Sequence, residues 1–283
     1  AAVSGDLGAV IVDTDTPDLQ SVAAADATYK VGDNIDITVT WDETVVVTGT
    51  PTLTLSNNAT ATYVSGTGNA ALVFRYAVVE GNTNSADLSV SSYSGTITDV
   101  ATNVAEAVSG DLGAVIVDAN SPAVTVVTAT NTNGTYKTDD TVQIVVTFND
   151  NVTVTGVPQL TLETGGSDAV VNYSSGSGSQ YLYFDYTISA GHTSLDLDYK
   201  ATGSLANNGG STVKDSAGND VTLTLPAPGA TGSLGASKNI VIDTDTPDLV
   251  SVAAADATYK VGDNIDITVT WDETVVVTGT PTL

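Results

Sequence analysis

The chain has 283 residues and carries 33 Asp and Glu against 7 Lys and Arg, which gives a formal net charge of −26. This charge argues against nucleic acid and anionic membrane as partners, because both require a basic face. No apolar run in the sequence approaches the roughly 18 residues of a membrane span, so we expect no membrane insertion in this window. The sequence contains no Cys, which suits a surface-exposed prokaryotic protein that uses no disulfide bonds.

The composition favours β structure along the whole chain. Thr, Val, Ser, Ala, Gly and Asp dominate, whereas the helix formers Glu, Lys, Leu and Gln are scarce. Residues of the first group are typical of strands joined by turns. The sequence therefore predicts an all-β protein.

Internal repeats divide the chain. Residues 246–283 repeat residues 16–53 with a single substitution, and residues 106–118 repeat residues 1–13 except at the first position. Self-similarity at a fixed period indicates an array of tandem repeats. We predict four pieces: 1–16, the C-terminal strand of a preceding type-A repeat; 17–121, a whole type-A repeat; 122–246, a diverged type-B repeat; and 247–283, the N-terminal part of the next type-A repeat.

Alternating patterns predict the strands within each repeat. In the segment Ile35–Trp41 apolar residues alternate with Asp and Thr, and type B repeats this pattern in Val142–Phe148. Such alternation is typical of a half-buried antiparallel strand. Type A holds about seven such strands, which is the strand count of an immunoglobulin-like (Ig-like) sandwich. We predict tandem Ig-like antiparallel β-sandwiches joined end to end; an unrelated Greek-key sandwich is the alternative.

Acidic residues concentrate where one repeat would meet the next. Each junction contains a hinge of the form Asp-x-Asp/Asn-x-Pro, and proline holds such a segment extended. If seven strands alternate in direction, the loops at the exit of one repeat and the entry of the next gather around this hinge. The candidate ligands before type A are Asp13, Asp15, Asp42, Glu43, Asp99 and Asn103. Those between type A and type B are Asp33, Glu80, Asp87, Asp118, Asn120, Asn149, Asp150, Asp215 and Asn219. Those after type B are Asp140, Asp196, Asp243 and Asp245.

The chemistry of these oxygens suits calcium. Ca²⁺ takes six to eight oxygen ligands from carboxylates, carbonyls and Asn side chains. Several carboxylates brought together without a cation would repel one another. Asp and Asn are also common turn residues, so acidic loops without any ion are the alternative.

Several motifs, taken in order, resemble the bacterial Ig-like (cadherin-like) tandem repeats of giant secreted adhesins and related surface proteins. They are Tyr29-Lys30-Val31-Gly32-Asp33, Val47 to Leu55, Tyr63 with Ser65-Gly66, Phe74-Arg75-Tyr76, Asp99 with Asn103, and the Asp-Thr-Asp-Thr-Pro hinge. The resemblance implies rod-like stalks, calcium at the junctions and export to the cell surface. Type B departs from the pattern at insertions in 205–210 and 226–229, which would be lateral contact sites or tolerated loops.

Catalytic signatures are missing, and we predict that the chain is not an enzyme. It has no Cys, and its single histidine, His192, falls in a turn. We therefore expect a structural stalk whose partners are the other repeats of the same chain. The alternative is an extracellular filament or surface layer in which like chains pair. A carbohydrate-binding module would need exposed aromatic residues, for which Tyr181, Tyr183 and Tyr199 are the candidates.

Overall fold

The structure, a computed structural model, describes residues 11–283 and is almost entirely β, with 49% strand and 1% helix. The all-β prediction is confirmed. Most of the strand predicted for residues 1–16 lies outside the described residues, and residues 11–16 form no regular secondary structure. Among residues 11–283 no helix is long and apolar enough to cross a membrane.

The type-A repeat builds its own hydrophobic core within residues 35–119. Its largest sheet has the strand order β4-β5-β3-β6-β7, with β1 also paired to β3. The strands are β1 (Leu19–Ala23), β2 (Ala27–Lys30), β3 (Asn34–Leu55), β4 (Thr60–Ser65), β5 (Asn69–Ala77), β6 (Ser89–Thr98), β7 (Gly110–Asp111) and β8 (Val115–Asp118).

Strand β3 is one long segment that pairs first with β5 and then with β6. Its inward residues Ile35, Ile37, Val39 and Trp41 are all buried, as the alternation predicts. Its pairing register with β5 shifts just after Thr40, so the strand bends there and continues into a second stretch paired with β6. The bend sets Asp42 and Glu43 at one end of the repeat.

The type-B repeat has a second, separate core within residues 127–242. Its main sheet has the order β15-β12-β13-β14-β11-β17, with β9 paired to β11 and β16 to β12. Its elements are β9 (Val124–Ala129), β10 (Gly134–Tyr136), β11 (Thr141–Thr155), β12 (Gln159–Glu163), β13 (Ala169–Ser175), β14 (Ser179–Thr187), β15 (Asp198–Tyr199), β16 (Leu205–Ala206), β17 (Thr212–Lys214), α1 (Leu234–Ser237) and β18 (Ile240–Ile242).

The two type-B insertions pack partly against the sandwich. Leu205 in the first insertion is buried and pairs with β12 through β16. In the second insertion the carbonyl oxygen of Pro226 accepts the hydroxyl of Tyr199 at 2.5 Å. The burial of Tyr199, only 1% exposed, removes it from the aromatic residues that a carbohydrate-binding face would need.

The two ends of each repeat pair in parallel, which departs from a purely antiparallel arrangement. Strand β2 runs beside β8 from Ala27 opposite Val115 to Lys30 opposite Asp118, and β10 runs beside β18 in the same way. Strands β2 and β10 run toward the exit of their repeats, as the last strands β8 and β18 do, so each of these pairings is parallel. The parallel pair brings the turn after β2 directly beside the following hinge.

Residues 247–283 repeat the opening of type A as a single antiparallel pair, β19 (Leu249–Ala254) and β20 (Ile267–Trp271). Leu249 pairs with Trp271 in the register of Leu19 with Trp41, and both pairs are followed by the same shift. The side chains of this pair are exposed along nearly their whole length.

Candidate metal centre at the repeat junctions

Three predicted ligands meet at the entry of type A. One carboxylate oxygen each from Asp13, Glu43 and Asp99 lies within 4.8 Å of the other two. Asp13 comes from the hinge, Glu43 from the bend in β3 and Asp99 from the loop after β6. Three segments distant in sequence thus direct carboxylates to one point. Such oxygens at short mutual distance are the ligand type that Ca²⁺ takes.

A tight loop fixes Asp99, which is only 2% exposed. Its carboxylate accepts the backbone N–H of Asn103 at 2.8 Å and the Asn103 side-chain amide at 2.7 Å. The turn closes through Thr102, whose φ of 78° lies in the left-handed region. The same Asn103 amide also donates to the carbonyl oxygen of Asp13 at 3.3 Å, which joins the loop to the hinge.

Two more carboxylates surround this point. Asp15 donates its backbone N–H to the Asp13 carboxylate at 3.2 Å, and the Asp42 carboxylate accepts the N–H of Asp18 at 2.9 Å. Desolvation of the half-buried Glu43 raises its pKa, and the neighbouring negative charges raise it further. Those charges belong to Asp99, Asp13, Asp42 and Asp15.

Within residues 11–283 no Lys or Arg forms a salt bridge with this set. The three salt bridges among residues 11–283 are Arg75 with Asp36, Lys200 with Asp168, and Lys214 with Asp220, all formed by other acids. Uncompensated like charges at short range are unfavourable, and partial burial strengthens the repulsion. We call the junction formed by Asp13, Asp15, Asp42, Glu43 and Asp99 the first acid-rich junction.

The junction after type B repeats the hinge and entry-loop acids of this arrangement, without the Asp99 loop, and is called the second acid-rich junction. Asp245 donates its N–H to Asp243 at 3.2 Å, and Asp248 donates to Asp272 at 2.8 Å. Desolvation of half-buried Glu273 raises its pKa, and the charges of the four aspartates add to this. A cleft of about 460 Å³ opens between the hinge and these acids.

The junction between type A and type B is built differently and is called the amide-rich junction. Its centre is Asn219, which is 2% exposed. The Asn219 amide donates to the Asp118 carbonyl oxygen at 3.1 Å and to the Asp215 carboxylate at 2.8 Å, while its oxygen accepts the N–H of Val31 at 2.9 Å. One buried side chain therefore bonds the turn of type A, the hinge and a loop of type B.

Amides also satisfy the carboxylates around this hinge. Asn84 donates to the Asp118 carboxylate at 2.9 Å, and its oxygen accepts the Asn120 amide at 2.8 Å. Glu80 accepts both the N–H and the hydroxyl of Ser121.

The side chains of the entry loop of type B also accept hydrogen bonds from the protein. Asn149 accepts the N–H of Ala123 at 2.8 Å, and Asp150 accepts the N–H of Asn151 at 2.6 Å. Among the described residues, the first acid-rich junction is the one place where three metal-ligating side chains converge, and the amide-rich junction has no such group.

Four predicted ligands have other positions. The carboxylates of Asp33 and Asp140 accept the N–H of Lys30 and Lys137, each at 3.0 Å, and so close the turns after β2 and β10. Asp87 and Asp196 precede buried leucines that bond to the start of the last strand, three residues before the hinge Asp. A strand rises about 3.3 Å per residue, so the backbone of each leucine meets the last strand about 10 Å before the hinge Asp. The assignment of Asp87 and Asp196 as junction ligands stays a prediction.

Sequence reasoning also missed participants that the structure brings to the junctions. They are Asp18, Asn84, Asp248, Asp272 and Glu273. Asp272 and Glu273 could have been found, because they repeat Asp42 and Glu43 at the offset of the type-A copies. No sequence repeat could have identified Asn84, because its bonds to the hinge depend on how the loop after β5 folds.

The fold and the repeats define an all-β protein with two separate cores and a shared pattern of polar junctions. A scan against protein-family models and a search of curated proteins both find no match. The function is therefore inferred from the sequence and from these junctions.

Proposed function

We propose that this chain is part of the stalk of a large secreted or cell-surface adhesin, in which Ca²⁺ stiffens the acid-rich junctions. The observation that carries the proposal is the convergence of Asp13, Glu43 and Asp99 within 4.8 Å, with no salt bridge to any of them in the described part of the chain. Carboxylates, the Asp13 carbonyl and water would together supply the six to eight oxygens that Ca²⁺ takes.

In this proposal the repeats are tandem Ig-like sandwiches, 17–121 and 122–246, joined end to end. Each has its own core, and the hinge between them is short, as a rod of linked domains requires. A stalk needs no catalytic group, and near-identical copies of type A suit a spacer whose length grows by duplication.

The mechanism is electrostatic. Without a cation, carboxylates from the hinge and from the loops of the next repeat repel, so the acid-rich junction opens and bends. Asp13 of the hinge, together with Glu43 and Asp99 of the repeat, would hold a Ca²⁺, whose charge would offset their repulsion and stiffen the junction. The amide-rich junction is closed by Asn219 without any ion. The stalk would then consist of type-A–type-B pairs that stay rigid, connected by joints that calcium stiffens.

Tryptophan fluorescence offers a direct test. The only two tryptophans, Trp41 and Trp271, immediately precede Asp42 and Asp272 of the two acid-rich junctions, whereas type B has Phe148 at that position. We expect Ca²⁺ to change the emission in a saturable way that EDTA reverses, and to raise the melting temperature. Na⁺ at the same ionic strength should do neither. A response that Na⁺ reproduces would reduce the effect to screening and overturn the proposal.

A further inference from the structure

A cleft of about 500 Å³ opens in the type-B repeat between β13 and β14. Strand β13 pairs with β14 only at Tyr173 and Ser175, whereas its first half, Ala169–Asn172, pairs with β12. Strand β14 nevertheless continues to Thr187. The two strands therefore separate, and side chains from both walls and from the following turn line the gap.

Three polar side chains of the cleft are each held by one hydrogen bond. Asp185 accepts the side-chain amide of Gln143 at 2.9 Å, and Asn172 accepts that of Gln159 at 2.9 Å. The Nδ1 atom of His192 lies 2.8 Å from the hydroxyl of a buried tyrosine. Each keeps a second polar atom without a hydrogen bond to the described residues: Asp185 Oδ2, Asn172 Nδ2 and His192 Nε2.

The hydrogen bond to Tyr186 is the basis for assigning which nitrogen of the His192 ring carries the proton. Burial raises the pKa of Tyr186 to about 12, so its hydroxyl keeps its proton. The hydroxyl has no other hydrogen-bond acceptor among the described residues, so we assign it as the donor to Nδ1. A neutral imidazole that accepts at Nδ1 carries its proton on Nε2. The ring stacks on Tyr186 with centroids 5.8 Å apart, which fixes its orientation. His192 Nε2 is then a positioned donor.

The cleft therefore offers an acceptor, Asp185, and two donors, Asn172 and His192, held in place before any ligand arrives. A hydroxyl group is the partner that both donates and accepts. The net charge of −26 disfavours an anionic ligand. A divalent cation would find one unpaired carboxylate, because the other acid of the cleft, Asp168, is paired with Lys200. The volume lies within the range of about 300–1,000 Å³ of small-molecule sites.

We propose that this cleft binds a neutral saccharide. It would accept hydroxyl hydrogens at Asp185 and donate to ring or hydroxyl oxygens from Asn172 and His192. Prealigned polar groups lower the entropic cost of binding a flexible polyol. None of the three side chains is a proposed calcium ligand. The His192 carbonyl oxygen accepts the hydroxyl of Thr244 in the following hinge, so binding is measured without calcium.

Type A has no equivalent of this site, which makes it a natural control. At the position of Asp185 it has Arg75, which forms two hydrogen bonds with Asp36 at 2.6 and 2.7 Å. At the position of His192 it has Asn82, whose oxygen accepts both the equivalent tyrosine hydroxyl and a backbone N–H. Type A thus has a cation paired with Asp36 at the position where the type-B cleft has its carboxylate acceptor.

The test is saturation-transfer NMR on the 283-residue chain with glucose, galactose, mannose and N-acetylglucosamine, in EDTA to remove any contribution of calcium. We expect transfer to at least one sugar, and at least a fivefold weaker signal in Asp185→Asn and in His192→Asn. His192→Asn installs the type-A residue, which can still accept the tyrosine hydroxyl, so the repeat should stay folded. Arg75→Gln in type A serves as the matched control and should leave the signal unchanged.

Circular dichroism and melting curves establish that each variant is folded. No transfer to any of the four sugars would overturn the proposal, as would equal signals in the wild type and both cleft variants. A loss of signal in Arg75→Gln as large as in Asp185→Asn would do the same, since it would place the contact elsewhere.

Discussion

The acid-rich and amide-rich junctions share one frame but carry different chemistry. Both kinds have an extended hinge. The first acid-rich junction and the amide-rich junction also both have an Asp-x-x-x-Asn loop whose asparagine donates to a hinge carbonyl and to the loop carboxylate. They differ in the side chains at other positions of the hinge and of the entry loop. Asp15 and Asp42 of the first acid-rich junction correspond to Asn120 and Asn149 of the amide-rich junction.

This difference shows how the choice between a carboxylate and an amide side chain decides whether a junction can close without an ion. A carboxylate only accepts hydrogen bonds, whereas an amide both donates and accepts. At the amide-rich junction Asn84, Asn120 and Asn219 therefore form bonds across the hinge without external help. At the acid-rich junctions no hydrogen-bond donor among the described residues bonds Glu43 or Glu273, and desolvation, followed by the charges of the neighbouring aspartates, raises the pKa values of both.

The largest effect should come from Asn219. Asn219→Ala removes bonds to Val31, Asp118 and Asp215 and leaves a buried carboxylate short of a donor. We expect a loss of about 3 kcal/mol in the free energy of unfolding, because unsatisfied buried groups and bonds to charged groups each cost about 1–3 kcal/mol. Asn103→Ala, at the half-buried counterpart, should cost less than half as much. Urea denaturation with EDTA measures both, and equal losses would contradict the distinction.

A second test removes charge from the acid-rich junctions. Glu43→Gln with Glu273→Gln should weaken Ca²⁺ binding roughly tenfold, since ligand charge tunes calcium affinity. In EDTA the same double variant should melt at a higher temperature than the wild type, because it relieves repulsion from four aspartates at each site. Calorimetric titration and melting curves check the two signs. Asp150→Asn, at the amide-rich junction, is the matched control and should change neither measurement.

The smallest effect concerns pH in the absence of calcium. The folded pKa of Glu43 and Glu273 lies above the ordinary value of 4.5. Just above pH 4.5 the folded state therefore binds more protons than the unfolded state. The free energy of unfolding should fall as pH rises through this window, and acidification should restore it.

Urea denaturation in EDTA at several pH values measures this slope. The Glu43→Gln, Glu273→Gln double variant should flatten it, while Glu80→Gln, whose carboxylate is bonded to Ser121, should leave it unchanged. If the double variant kept the slope of the wild type, the claim that these two glutamates cause the pH dependence would be contradicted.

Much of the fold could be predicted from local pattern. The alternation in Ile35–Trp41 specified a strand with a buried face, and all four of its apolar residues are buried. Hinge prolines and repeat offsets located the junctions, and the convergence of Asp13, Glu43 and Asp99 followed from counting strand reversals. Period-two patterns and chain reversals are local properties, which is why a sequence can reveal them.

The rest required the tertiary structure. Asp87 and Asp196 looked like junction residues, yet their distance from the hinge depends on where each chain segment meets the last strand.

The amino-acid sequence by itself determined the all-β character, the repeats and the supply of carboxylates at each hinge. The tertiary structure alone decided which carboxylates meet, which are satisfied by asparagine amides, and that β13 and β14 separate to form a cleft in type B. Hydrogen bonds and burial at these places join residues far apart in the chain, so no local pattern encodes them.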